Sequence, residues 1–250
     1  MAQDFTRAGY RALLEALLQR GYRVCGYDDV VPQNQDLILR HDIDFWPEPA
    51  LAMSEIERDL GVRAFYFMLT SSPAYSIESN ETRTVIDRLQ QDGHVVALHF
   101  DAARYPARID ALDAAVEEEC ARLEDVTKTY VPVVSFHRPS RPLLSHNAPL
   151  AGRPHAYQDR FFKDIGYCSD SRGLWRFGPP LSHEAVGRKT ALQLLTHPIW
   201  WAHDDGGDRE AALRRLVDVK GPQSVNLIAD TVTGYDPDTG TISDQSGIDK

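Results

Sequence analysis

The chain is poor in sulfur: its 250 residues hold only three cysteines and three methionines. Cys25, Cys120 and Cys168 are far apart, odd in number and without CxxC spacing. That argues against a disulfide framework or a zinc–thiolate site and fits a reducing compartment. Basic charge is also short, with 27 Lys and Arg against 37 Asp and Glu and a net charge of −10. Nucleic acid and anionic membranes call for a basic face, so neither is an expected partner. No stretch approaches the roughly 20 apolar residues of a membrane span. The opening Met1-Ala2-Gln3-Asp4 lacks the basic-then-apolar order of a secretory leader. A soluble, cytoplasmic protein is expected. What is present is a 42% hydrophobic, 26% charged chain, enough for a sizeable core in one domain over residues 1–250.

Apolar spacing sets out alternating elements. Tyr10, Leu13, Leu14, Leu17 and Leu18 form a helical stripe over about 5–20, closed by Gly21. LILRHDID at 37–44 reads as a buried strand, and Pro47 and Pro49 open a helix lined by Ala52, Ile56 and Leu60. Strands are predicted again at 62–69, 95–100, 131–136, 167–170 and 191–196, with helices ended by Gly93 and begun after Pro106 between them. This alternation implies βα units around a mainly parallel sheet, open or closed into a barrel. Residues 171–189 read as a long loop, and the polar end from about 231 as a loosely docked tail.

The position of the polar residues carries the functional signal. His41, Asp42 and Asp44 end the first long strand, His99 and Asp101 a later one, His137 and Arg138 the next, then Asp170 and His197. In parallel α/β folds those strand ends converge on one face, where active sites form. Asp42 and Asp44 share a face by strand parity while Ile43 points away. Carboxylates beside imidazoles suit a divalent ion such as zinc, with one carboxylate left over as a base.

Five motifs in order, RHDID (40–44), GHVVALHFD (93–101), SFHRPS (135–140), SDSRGLW (169–175) and LLTHPIWW (194–201), make the sequence resemble the polysaccharide deacetylases of the NodB-homology, family 4 carbohydrate esterase type. The resemblance is to a branch associated with bacterial O-antigen and other surface-polysaccharide (lipopolysaccharide) biosynthesis. It implies a distorted, incomplete (β/α) barrel, one divalent metal ion, zinc by the expected ligand set, and removal of an N-acyl group from a sugar precursor. Asp42 then stands where the family has its general base, Asp44 and His99 where it has metal ligands, Arg138 where it has the arginine that orients the base, and His197 where it has the general acid. Asp170 and Trp175 fall in the motif lining the pocket, and Trp200 offers a flat surface to a sugar ring. Four residues after His99, where the family has its second ligand histidine, this chain has Ala103. His137 or Asp101 is left to complete the set. His137 is preferred, because two imidazoles and a carboxylate restore a zinc site; Asp101 then faces substrate.

Plainer readings stand beside these. Asp42 and Asp44 also suit an N-cap pair before Pro47, and Arg138 a structural ion pair. His41 suits hydrogen bonding behind the site, and His94 packing. His146, His155, His183 and His203 read as surface residues. With no leader at the N-terminus, the expected substrate is a nucleotide-linked or lipid-linked N-acylated sugar. A catalytically silent relative that binds a glycan or partner, and a hydrolase of small non-sugar amides, are the alternatives.

Overall fold

The computed structural model describes residues 5–175, 178–204 and 208–243. In chain order it runs α1 (Arg7–Gln19), β1 (Arg23–Val24), β2 (Asp36–Ile43), α2 (Ala50–Asp59), β3 (Phe65–Leu69), α3 (Asn80–Gln91), β4 (Val95–Asp101), α4 (Ile109–Thr127) and β5 (Val134–His137). There follow α5 (Arg141–Leu144), α6 (Asp159–Phe162), β6 (Gly166–Ser169), α7 (Glu184–Arg188), β7 (Leu192–Thr196) and α8 (Pro198–Trp201). The chain then forms α9 (Arg209–Lys220), α10 (Ser224–Thr231) and a small hairpin of β8 (Tyr235–Asp236) and β9 (Thr241–Ile242).

Local chemistry explains the punctuation. Thr6 caps α1 by accepting the Gly9 N–H at 3.0 Å, and the stripe Tyr10, Leu13, Leu14 and Leu17 is buried. After the last turns of α1 and α3 the chain passes through Gly21 (φ 91°) and Gly93 (φ 89°), where a side chain would be strained.

The main sheet has the order β5-β4-β3-β2-β7-β6, with β1 beside the start of β2, and every neighbouring pair is parallel. All residues of β2, β3, β4 and β7 are buried, as expected for a parallel sheet covered on both faces. The sheet curls into a half-barrel that stays open between β5 and β6, an incomplete (β/α) barrel. Residues 153–162 cross that opening. Val134 donates to the Pro154 carbonyl at 3.0 Å on one side. From the other, the buried Gln193 amide of β7 donates to the carbonyls of Ala156 (3.1 Å) and Phe161 (2.9 Å).

Strand starts differ from the pattern read in sequence: β3 begins at Phe65 rather than Val62, and β5 at Val134 rather than Val131. The segment 171–189, expected to be a loop, contains α7, capped by the His183 side chain. Of the expected tail, Val232 and Ile242 are buried against the core, and residues 244–250 lie outside the described residues. Among the described residues no helix is long and apolar enough to cross a membrane, and all three cysteines are buried and free.

Candidate active site

Register assembles the site. Ile43 pairs with Met68, so continuing one residue sets Asp44 level with Leu69, whose partner on the far side is His99. On β5, Ser135 pairs with His99 and His137 with Asp101. On the opposite side of β2, His41 pairs with Thr196, which places His197 next to the Asp42–Asp44 strand end. The curl of the sheet then closes these strand ends around one cavity of about 190 Å³.

On its floor, one ligand atom each from Asp44, His99 and His137 lies within 4.8 Å of the other two. His99 Nε2 is 3.1 Å and His137 Nδ1 3.3 Å from Asp44 Oδ1. Yet this buried oxygen has no partner of hydrogen-bonding geometry. Two imidazole nitrogens and an orphaned carboxylate oxygen gathered at one point fit a divalent cation with nitrogen and oxygen ligands. The Ser135 hydroxyl lies 2.6 Å from His99 Nδ1, an outer contact that fixes the ring and leaves Nε2 facing Asp44. Asp101, the alternative to His137, is not in the group. Its Oδ1 caps Ala103 N–H at 3.3 Å and its Oδ2 accepts from Arg138 at 2.6 Å.

Asp42 lies beside this group, its Oδ2 3.7 Å from His99 Nδ1. The cation that holds it is Arg40, not the expected Arg138. The Arg40 guanidinium is fully buried and donates to Asp42 Oδ1 at 2.9 Å and Oδ2 at 2.7 Å, with a further bond to the Tyr157 hydroxyl at 3.1 Å. Burial alone would raise the Asp42 pKa, but Arg40, then His99 and His197, hold it below the ordinary range. For Asp44 burial is likewise outweighed, by His137, His99 and His197, and its pKa lies well below the usual value.

His197 faces Asp44 across 3.8 Å, from Nε2 to Oδ2. Its Nδ1 is 2.6 Å from Asp170 Oδ1, and its backbone N–H also donates to Asp170. Burial opposes the charge on this ring, but Asp170, Asp44 and Asp42 push its pKa up to about 9. Asp170, expected to line the pocket, instead sits fully buried behind His197 and accepts the Trp201 indole N–H at 2.6 Å. Trp175, expected beside it, packs on Phe5 and Trp201 and is not among the lining residues. Trp200 lines the cavity, while Trp201 is core.

Sequence reasoning missed Arg40, Ser135 and the cavity wall contributed by Thr231 and Val232. Arg40 was findable, since it lies two residues before Asp42 on one strand and so shares its face. Ser135 depends on inter-strand register and the C-terminal wall on tertiary docking, neither of which spacing reveals. His41 points away, between Thr196 Oγ1 (2.7 Å) and Glu57 Oε1 (2.7 Å). His155, expected at the surface, is wholly buried, packed 4.8 Å from the Phe136 ring centre, and His146, His183 and His203 are half-buried.

No family model and no curated protein matches the chain. Among solved structures it is similar to a family 4 carbohydrate esterase from Bacillus anthracis, at 14% identity and a TM-score of 0.46 over 82% of this chain and 84% of that one. A Streptococcus mutans CE4 esterase gives 14% and 0.48 over 78% and 82%. IcaB from Ammonifex degensii gives 15% and 0.41, covering 52% of this chain and 65% of its own. What the site can do rests on its own geometry.

Proposed function

We propose that the chain is a metal-dependent deacetylase that removes an N-acyl group, acetyl in the leading case, from a sugar precursor. The observation that carries this reading is the clustering of Asp44, His99 and His137, flanked by Asp42 and His197, on the floor of one cavity. The three residues would hold one divalent ion, with zinc the best match to two imidazoles and a carboxylate. An ion held there would polarise an amide carbonyl and lower the pKa of a water molecule towards about 7.

The chain's own groups do the rest. Asp42, kept ionised by Arg40, takes a proton from the attacking water. His197, held by Asp170, gives a proton to the departing amine nitrogen. Acid or base assistance of this kind contributes roughly 10² to 10⁴ in rate. Trp200 offers an apolar wall to the sugar ring. On the resemblance carried by the five motifs, we propose as substrate a precursor in surface-polysaccharide (O-antigen) assembly, nucleotide-linked or lipid-linked and met in the cytoplasm.

The test is metal content together with acetate release. Protein purified without chelators should hold about one divalent ion per chain, lost in Asp44→Ala and His99→Ala, and should release acetate from N-acetylated sugars. Failure to retain zinc even when it is supplied would replace this reading with a silent glycan-binding relative. Release from simple amides but from no sugar would replace it with a small-amide hydrolase.

A further inference from the structure

Glu57 of α2 is a wholly buried carboxylate that the chemistry above does not use. It lies between α1, α2 and the outer face of the sheet, and it is not among the residues lining the cavity. Its Oε1 accepts from His41 Nε2 at 2.7 Å and from the Tyr10 hydroxyl, and its Oε2 accepts from the Tyr66 hydroxyl at 2.7 Å. His94 Nδ1 stands 3.6 Å from Oε2 but itself accepts the Ala64 N–H at 3.2 Å. Among the described residues no guanidinium or ammonium reaches Glu57. Burial opposes its ionisation, yet His41, ahead of His94 and Tyr10, holds its pKa below the ordinary range. A charge kept in a core is harder to bury than an apolar side chain of the same size, so what it holds in place matters.

Two chains of contact run from Glu57 to His197. The first crosses the sheet. His41 Nδ1 meets the Thr196 hydroxyl at 2.7 Å, and His41 and Thr196 are the last paired residues of β2 and β7. Beyond that rung β2 stays with β3, where Ile43 still pairs with Met68, while β7 gives way at His197 to α8. The bond therefore sits where the strand carrying Asp42 and the strand carrying His197 part. The second chain runs through α1. The Tyr10 ring lies 5.6 Å from that of Trp201, Trp201 donates to Asp170 Oδ2 at 2.6 Å, and Asp170 Oδ1 holds His197 Nδ1 at 2.6 Å. Tyr10, His41, Asp170, Thr196 and Trp201 are all buried, so water does not compete for these bonds.

We infer that Glu57, through His41 and Thr196 on one side and Tyr10 on the other, is the hub of a set of positioning residues for His197. One route fixes the backbone that carries the ring, and the other fixes the carboxylate that orients it. This rests on the reading of His197 as proton donor to the departing amine and goes beyond it, since a carboxylate outside the cavity then governs how well that proton is delivered.

The test uses full-length, zinc-supplemented protein and two variants that keep shape, Thr196→Val and Tyr10→Phe. The ring nitrogens of His197, assigned by their loss from the NMR spectrum of His197→Ala, report on its bond to Asp170. Their resonances should shift in both variants; resonances unmoved in either one overturn the inference, with or without acetate release. Acetate release is then followed from N-acetylglucosamine, N-acetylgalactosamine and para-nitrophenyl acetate. The amides need a proton on the leaving group, whereas the ester expels an anion that departs unaided. Each variant should cut kcat on the sugars about tenfold with KM within about twofold, and cut ester turnover less than about threefold. Neither should cost anything further in a His197→Ala background. Equal losses on sugar and ester, or a full further loss without His197, would show general loosening and overturn the inference. Acetate release from none of the three by unaltered protein would count against the deacetylase reading alone, and the His197 resonances would decide the inference.

Discussion

Asp42 owes its ionisation to a residue two positions earlier. The Arg40–Asp42 pair is bidentate and wholly buried, so removing one partner strands a charge in the core. Arg40→Met is therefore expected to lower stability by about 3–5 kcal/mol. The double variant with Asp42→Asn should recover a large part of that, both read from urea unfolding midpoints. A double variant as unstable as the single one would show that Arg40 acts by packing on Phe67 and Tyr157 instead. Asp42→Asn alone should keep zinc at about one ion per chain yet lose turnover by roughly 10² or more; unchanged turnover would remove Asp42 from the chemistry. Much of this was legible in the sequence, because Asp42, Asp44, His99 and His197 all end predicted strands and strand ends meet. The pairing of the base was legible too, in the two-residue spacing of Arg40 and Asp42, but motif order assigned the cation to Arg138 without saying which carboxylate that residue reaches. Arg138 leaves β5 on a left-handed backbone, and its guanidinium goes to Asp101.

The elements divide by how strongly their burial shows in composition. Strands β2, β3, β4 and β7 are buried end to end and were read as apolar runs, while α1 to α4 carry stripes closed by glycine or opened by proline. By contrast, α9 and α10 offer only Ala212, Leu213, Leu216 and Ile228 as fully buried apolar positions, too sparse a stripe to announce two helices. They matter to the site all the same, since the chain leaving α10 supplies Thr231 and Val232 to the cavity wall. At the sheet's open edge, β6 is held against α7 by a contact only glycine allows. A β-carbon on Gly166 would fall 2.6 Å from Ala185 Cβ and 2.8 Å from His183 Cε1. Gly166→Ala is expected to cost about 1–3 kcal/mol by overpacking, measured as a lower unfolding midpoint. An unshifted midpoint would mean that α7 yields freely and does not hold the edge in place.

For the whole molecule, pH sets how the buried histidines and carboxylates share the work of stability. His155 packs beneath β5, and burial pushes its pKa down to about 4, whereas the unfolded chain binds that proton near 6.5. Between those values the unfolded state carries more protons than the folded one, so stability rises with pH through the window and is fully present above it. Its loss on acidification from 6.5 to 4 should approach about 3 kcal/mol, at 1.36 kcal/mol per pH unit. Asp42, Asp44 and Glu57, all held below their ordinary values, add losses of the same sign at lower pH. His197 runs the other way. Its folded pKa of about 9 gives metal-free protein a contribution that is complete below about 6.5 and fades as pH climbs through 9. Stability of the metal-free chain is therefore expected to peak near neutrality and fall on both sides. Urea unfolding at pH 7 and pH 4.5 isolates the acid limb, because His155→Phe should narrow the difference between the two conditions by most of the His155 share, whatever the replacement does to stability itself. An undiminished difference would place the acid sensitivity elsewhere, with the carboxylates around the cavity floor.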